Sequence, residues 1–73
     1  MYQTPIRIDT LKDAQAFVNL AAKLDQDVTL TDGTHNVNGK SLLGCLYSME
    51  FDEIFLQTES PVGAVFEQFS ILA

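Results

Sequence analysis

A serine at position 41 stands between Lys40 and a run of large aliphatics, Leu42, Leu43 and Leu46, with Gly44 and Cys45 among them. Two kinds of chemistry suit a hydroxyl there. As a helix N-cap it accepts a hydrogen bond from a backbone N–H two or three residues on. As a phosphorylation site it would carry a doubly charged group at the positive end of a helix, where free amides and Lys40 favour an anion. Directly behind it the leucines offer an apolar surface. On a helix, Leu42, Cys45, Leu46 and Met49 share one side while Leu43 and Tyr47 line another. A seven-residue surface helix cannot bury both sides equally, so one of them is expected to serve as an interaction patch.

Other reactive residue types are sparse. His35 lies in Thr34-His35-Asn36-Val37, away from any expected helix start, and reads as an exposed strand histidine. Asp25 with Asp27, and Glu50 with Asp52 and Glu53, lack the glycine and oxygen-ligand spacing of a calcium loop and read as solvated charge. No Ser/His/Asp order, P-loop or zinc-ligand spacing is present, so neither enzymatic activity nor a cofactor nor a metal is expected. Cys45 is the one cysteine, which rules out an internal disulfide framework and suits a reducing cytoplasm. The formal net charge of −6 leaves Arg7, Lys12, Lys23 and Lys40 as the cations, too few to track phosphates, so nucleic acid is not an expected partner. No apolar stretch approaches the roughly 18 residues of a membrane span, and the first residues lack the pattern of a signal peptide, so neither membrane insertion nor export is expected.

The elements that must position these groups follow from periodicity. Tyr2 to Ile8 alternates as a strand, with Pro5 favouring an edge or a bulge. Leu11, Ala14, Phe17, Val18, Ala21 and Leu24 form one face of a helix, capped by Asp9 or Thr10, with Asp13 in its first turn. Val28 to Thr31 and Thr34 to Val37 flank Asp32-Gly33 as a hairpin. A short helix from Ser41 to about Tyr47 precedes a strand from Glu53 to Thr58. Ser60-Pro61 then opens a closing helix striped by Val62, Val65, Phe66, Phe69 and Leu72. The order β-α-β-β-α-β-α over residues 1–73 predicts a single α+β domain, a four-stranded antiparallel sheet with three helices on one face. At this length the core is small, burying only about 60% of the surface that the unfolded chain exposes. Phe55 falls on the other face of the sheet, where an aromatic is unremarkable but could seed a weak homodimer.

Two segments, Ala22-Lys23-Leu24-Asp25-Gln26-Asp27-Val28-Thr29-Leu30 and Val37-Asn38-Gly39-Lys40-Ser41-Leu42-Leu43-Gly44, carry a resemblance to the HPr family, with no gap needed between them. These are the small histidine phosphocarriers of the bacterial sugar phosphotransferase system, and the resemblance extends over nearly the whole chain. It implies an open-faced β-sandwich, and it matches Ser41 to the serine that a dedicated kinase phosphorylates in the family. It also matches Leu42, Leu43 and Leu46 to the apolar patch that docks phosphotransferase-system enzymes and, after serine phosphorylation, a transcription regulator. The chain departs from the family where the carrier histidine stands: that position falls on Thr10, the following arginine on Lys12 and the proline on Asp13. A threonine hydroxyl has no lone pair titrating near neutrality, and its phosphate ester is far less labile than a phosphoimidazole. The C-terminal region departs from the family as well, being about two residues shorter in the loop before the last strand and ending soon after one short helix.

The resemblance therefore implies a degenerate, cytoplasmic, HPr-like regulatory or binding protein with a Ser41 switch, comparable in logic to the catabolite-repression paralogue that lacks the carrier histidine. Two rival expectations stand beside it. One is a phosphocarrier with an unusual acceptor, for which His35 is the candidate. The other is a structural module that self-associates through Phe55 or the leucines.

Overall fold

The computed structural model describes residues 1–71. Strands β1 (Tyr2–Ile6), β2 (Thr29–Thr31), β3 (Asn36–Asn38) and β4 (Ile54–Thr58) form one sheet in the order β1-β4-β2-β3, every neighbouring pair antiparallel. Two α-helices, α1 (Leu11–Ala21) and α2 (Leu42–Ser48), complete an α+β architecture. The register aligns Leu56 with Thr4 and Leu30, and Ile6 with Ile54, so these residues share one face of the pleat. They join Ala14, Phe17 and Ala21 of α1 and Cys45 of α2 in a single core, which puts both helices on that face. Pro5, Phe55 and Thr31 are aligned on the opposite face, where Phe55 is half-buried.

Helix α1 follows its apolar stripe closely. Thr10 is its N-cap: the Oγ1 accepts from the Asp13 N–H at 3.1 Å, and Asp13 Oδ2 accepts from the Asp9 N–H at 3.2 Å. This reciprocal pair is a capping box displaced by one residue on its return arm. The hairpin turn is wider than a two-residue Asp-Gly loop, because Asp32 Oδ1 accepts from the N–H groups of both Thr34 and His35, at 2.8 and 2.6 Å. Gly33 there adopts φ +96°, a conformation that side chains disfavour.

The closing segment differs from the expected third α-helix. Residues 63–66 are turns and Glu67–Phe69 is a single 3-10 turn. The backbone hydrogen bonds between residues of this stretch span three residues, Val65 to Val62, Glu67 to Ala64, Phe69 to Phe66 and Ser70 to Glu67, and the Phe69 carbonyl also accepts from the Arg7 N–H at 2.9 Å. Gly63, at φ +59°, breaks right-handed helical geometry just after Pro61. The two aromatics that must reach the core, Phe66 and Phe69, are three apart and eclipse on a 3-10 turn, whereas Val65 stays 38% exposed. Both rings pack on Phe17, Phe66 stacked at 4.7 Å and Phe69 edge-on at 5.4 Å between centroids. Leu72, assigned to the same stripe by periodicity, lies outside the described residues. The segment finishes by pairing Ser70 with Ile6 in an isolated antiparallel bridge at the outer edge of β1.

Candidate functional site

Two glycines explain how the segment around Ser41 is built. Gly39 lies against Val28, just before β2, with its N–H bonded to the Val28 carbonyl at 2.7 Å, and a Cβ there would meet Val28 Cγ1 at 2.6 Å. A Cβ on Gly44 would meet the Asn38 carbonyl oxygen at 2.6 Å. Both positions therefore need the smallest residue for the start of α2 to sit against the hairpin. Between them, Asn38 caps the corner: its Oδ1 accepts from the Lys40 N–H at 2.9 Å and its carbonyl from the Ser41 N–H at 3.1 Å. This geometry accounts for Asn38-Gly39-Lys40-Ser41 and Gly44 without reference to any ligand.

Ser41 is the N-cap of α2, half-buried, with its Oγ accepting from the Gly44 N–H at 3.3 Å. Lys40 is also half-buried, and its ammonium donates to the Leu24 carbonyl at 2.7 Å, tying this corner to the turn after α1. The resting structure thus commits the Lys40 ammonium to a backbone oxygen rather than holding it free beside Ser41.

The two sides of α2 have different fates. Cys45 is fully buried, its Sγ 3.4 Å from the Gly39 carbonyl, and burial pushes the thiol up to about 11. Leu46 and Met49 pack partly against the core, and Leu42 is 36% exposed. On the other side Leu43 is 80% and Tyr47 54% exposed. The sequence of α2, LLGCLYS, contains no charged residue. Beside Leu42 a shallow groove of about 330 Å³ runs to Gln15, Val18 and Asn19 of α1, again uncharged.

At the far end of α2 the apolar face meets a small aromatic cluster. The Tyr47 ring sits edge-on to Phe51, 5.7 Å between centroids, and the His35 ring stacks on Phe51 at 6.1 Å. His35 Nδ1 lies 3.0 Å from Asp32 Oδ2. The backbone N–H groups of His35 and Thr34, then the His35 ring, hold the Asp32 carboxyl at about 2, below its usual 3.8. Asp32 is therefore an anion at any physiological pH. The alternation of Thr34 to Val37 placed His35 on a strand, but β3 begins one residue later and His35 belongs to the turn. An Asp three residues before a His after a Gly turn was the available signal for this pairing.

The N-terminal end of α1, at Thr10, Lys12 and Asp13, is closed by its own side chains. Thr10 Oγ1 and Asp13 Oδ2 accept from the Asp13 and Asp9 amides, and Lys12 is exposed on the first turn. Arg7 pairs with Asp9 at 3.4 Å in the open. Among the described residues no group of three or more His, Cys, Asp or Glu side chains could hold a metal ion, and no helix is long and apolar enough to cross a membrane. Comparison with protein-family models, with curated proteins and with solved structures finds no match for this chain.

Proposed function

We propose that this chain is an HPr-like regulatory or binding module related to the sugar phosphotransferase system. It docks on protein partners through Leu42, Leu43 and Leu46, and phosphorylation of Ser41 switches that docking. The observation that carries the reading is the exposure of Leu43 and Tyr47 on an uncharged helix whose N-cap is Ser41. An exposed leucine in isolation is ordinary, but Leu42, Leu43 and Tyr47 are all exposed on one short helix and form a patch. The order β-α-β-β-α-β followed by a 3-10 turn, with both helices on one face of the sheet, supports an HPr-like open-faced sandwich that has lost most of its closing helix.

The switch is electrostatic. A phosphate on Ser41 brings roughly −1.5 to −2 charge to the start of α2, beside the Gly44 amide that already bonds the hydroxyl. It would compete with the Leu24 carbonyl for the Lys40 ammonium, so phosphorylation would loosen the tie between α2 and the turn after α1. That couples a charge at Ser41 to the surface that the leucines present. Carrier chemistry at α1 is not part of this reading. Thr10 is no phosphoryl-transfer nucleophile of the imidazole kind, and Asp13 adds a negative charge where the phosphoryl group would lie.

One observation favours a second reading, a phosphocarrier using His35. Asp32 Oδ2 lies 3.0 Å from Nδ1, an arrangement that fixes an imidazole tautomer and leaves Nε2 as the nucleophilic nitrogen. The same carboxylate would repel an incoming phosphoryl group, which places this reading second.

Intact-mass spectrometry after two incubations separates the readings. Phosphate added by ATP and HPr serine kinase, and absent in Ser41→Ala, is the expected result. Acid-labile phosphate acquired from phosphoenolpyruvate and the first enzyme of the system, and lost in His35→Ala, would transfer the assignment to the carrier reading. Addition in neither tube would remove the Ser41 switch and the carrier reading, and leave only the docking surface.

A further inference from the structure

We infer that the exposed face of α2 takes a basic amphipathic helix of a protein partner, its apolar side on Leu42, Leu43 and Tyr47 and an Arg or Lys at the acidic Tyr47 end of the helix, towards Glu50 and the Asp32–His35 pair. The inference rests on the docking reading and supplies the chemistry of the partner. The shape is suitable: a short run of exposed apolar side chains at helical spacing, continued by the groove along Gln15, Val18 and Asn19, receives the i, i+3, i+4 anchors of another helix.

Charge selects among partners with such anchors. Ten acidic residues face four basic ones across the chain. Arg7 is paired with Asp9 and Lys40 is bonded to the Leu24 carbonyl, while Lys12, on the first turn of α1, and Lys23, just after it, are exposed and do not offset the acidic excess. The apolar face itself is uncharged, and acids stand at its Tyr47 end. Glu50 is exposed one turn beyond Tyr47, its N–H on the Tyr47 carbonyl, and Asp32 is linked to Tyr47 through the His35 and Phe51 rings. Asp32 is also held ionised by two backbone amides, so its charge does not depend on a partner arriving. An Arg or Lys entering there finds the exposed Tyr47 ring with acidic charge at that end of the helix, from Glu50 and from the Asp32 carboxylate that pairs with His35. A second copy of the chain brings another net −6 and meets long-range repulsion, and an anionic lipid surface does the same.

Fluorescence anisotropy with two labelled helical peptides tests this, using the full chain. Both peptides carry the same leucines; one has Lys and Arg on its polar positions, the other Glu. The basic peptide is expected to bind saturably, to weaken as salt is raised, and to lose binding to Leu43→Asp. Asp32→Asn with Glu50→Gln is expected to weaken it by roughly three- to tenfold, because Asn retains an oxygen for the turn amides while the charge is gone. Equal binding of the two peptides, with loss of both in Leu43→Asp, would leave the docking reading standing and overturn the basic partner. Binding that survives Leu43→Asp would place the contact elsewhere and overturn both. If neither peptide binds, the inference fails, and the kinase incubation decides the regulatory reading by itself. Sedimentation of the free chain completes the test, since a dimer that buries Leu43 would identify a second copy as the occupant instead.

Discussion

Substituting Gly44 by Ala sets two known effects against each other at the residue that seats α2. In an exposed helix interior the change would stabilise by about 0.5–1 kcal/mol, because alanine loses less backbone freedom on folding. Here the new Cβ lands 2.6 Å from the Asn38 carbonyl oxygen, whereas ordinary contact begins at 3.4 Å. Helix and hairpin must therefore separate by a large part of an ångström. The obstructing atom is backbone, so no side-chain rotation relieves it. Overpacking of this kind costs about 1–3 kcal/mol. The same carbonyl accepts from the Ser41 N–H at 3.1 Å, and straining that bond adds up to about 1 kcal/mol. Sterics win, and Gly44→Ala is expected to destabilise by about 1–3 kcal/mol net, a fall in Tm of several degrees or more in a domain of this size. Urea unfolding followed by circular dichroism, with unchanged m, reads the difference directly. A Gly44→Ala chain as stable as the parent, or more so, would refute the close approach and with it the structural explanation of the Asn38 to Gly44 segment.

Ser41→Ala removes the α2 cap and is expected to cost about 1 kcal/mol in the same unfolding assay, with Ser41→Asp recovering much of it. Leu43→Asp is expected to change stability by less than about 0.5 kcal/mol, since the side chain is 80% exposed, while abolishing partner binding; a large loss of stability would mean that Leu43 is core. The Asp32 carboxyl, depressed to about 2 in the folded chain, supports the fold above its ordinary 3.8, and that support is lost as pH falls towards 2. Asp32→Asn should flatten this part of an acid-unfolding curve, and an unaltered curve would contradict the turn geometry. Cys45, fully buried with its thiol raised to about 11, is expected to react with a thiol reagent at neutral pH only at the rate of opening, and rapidly in denaturant.

How much of this was legible in the sequence depended on whether an element obeyed one period. Helix α1 and strand β4 did, because Ala14, Phe17 and Ala21 recur at helical spacing and Ile54, Leu56 and Thr58 alternate; their bounds fall within a few residues of expectation. The stripe Val62, Val65, Phe66 and Phe69 suggests a helix, but Val62 with Val65 and Phe66 with Phe69 are pairs three apart that i+3 bonding also serves, and Gly63 tips the segment to the tighter turn. At Asp32-Gly33 the glycine suggested a two-residue hairpin loop, yet the Asp32 side chain gathers two further amides and draws His35 into the turn. Side-chain to backbone competition of this sort leaves no periodic trace. For the candidate site, the split of α2 into two unequal sides was legible from i, i+3, i+4 spacing alone. Which side faces out was not, because it depends on Cys45 being the residue that meets the core. The use of Lys40 was equally hidden: its ammonium reaches Leu24, 16 residues earlier in the chain, a contact that exists only once α1 and α2 have packed.

That contact also bears on why one segment can be explained twice. The residues from Asn38 to Gly44 are accounted for by packing: Gly39 and Gly44 by close approach, Asn38 by two turn amides, Ser41 by its cap, Lys40 by the Leu24 carbonyl. A motif so fully used by the fold gives little independent support to a regulatory role for any one of its members. Leu43 is different. Its side chain is 80% exposed and is absent from both the core and the residues packed on it, so the fold supplies no reason for a large aliphatic there. The case for function accordingly rests more on Leu43 and its neighbour Tyr47 than on Ser41. If Ser41 proves never to be phosphorylated, the cap, the glycines and the lysine keep their explanations, and the exposure of Leu43 and Tyr47 remains as the ground for the proposed docking surface.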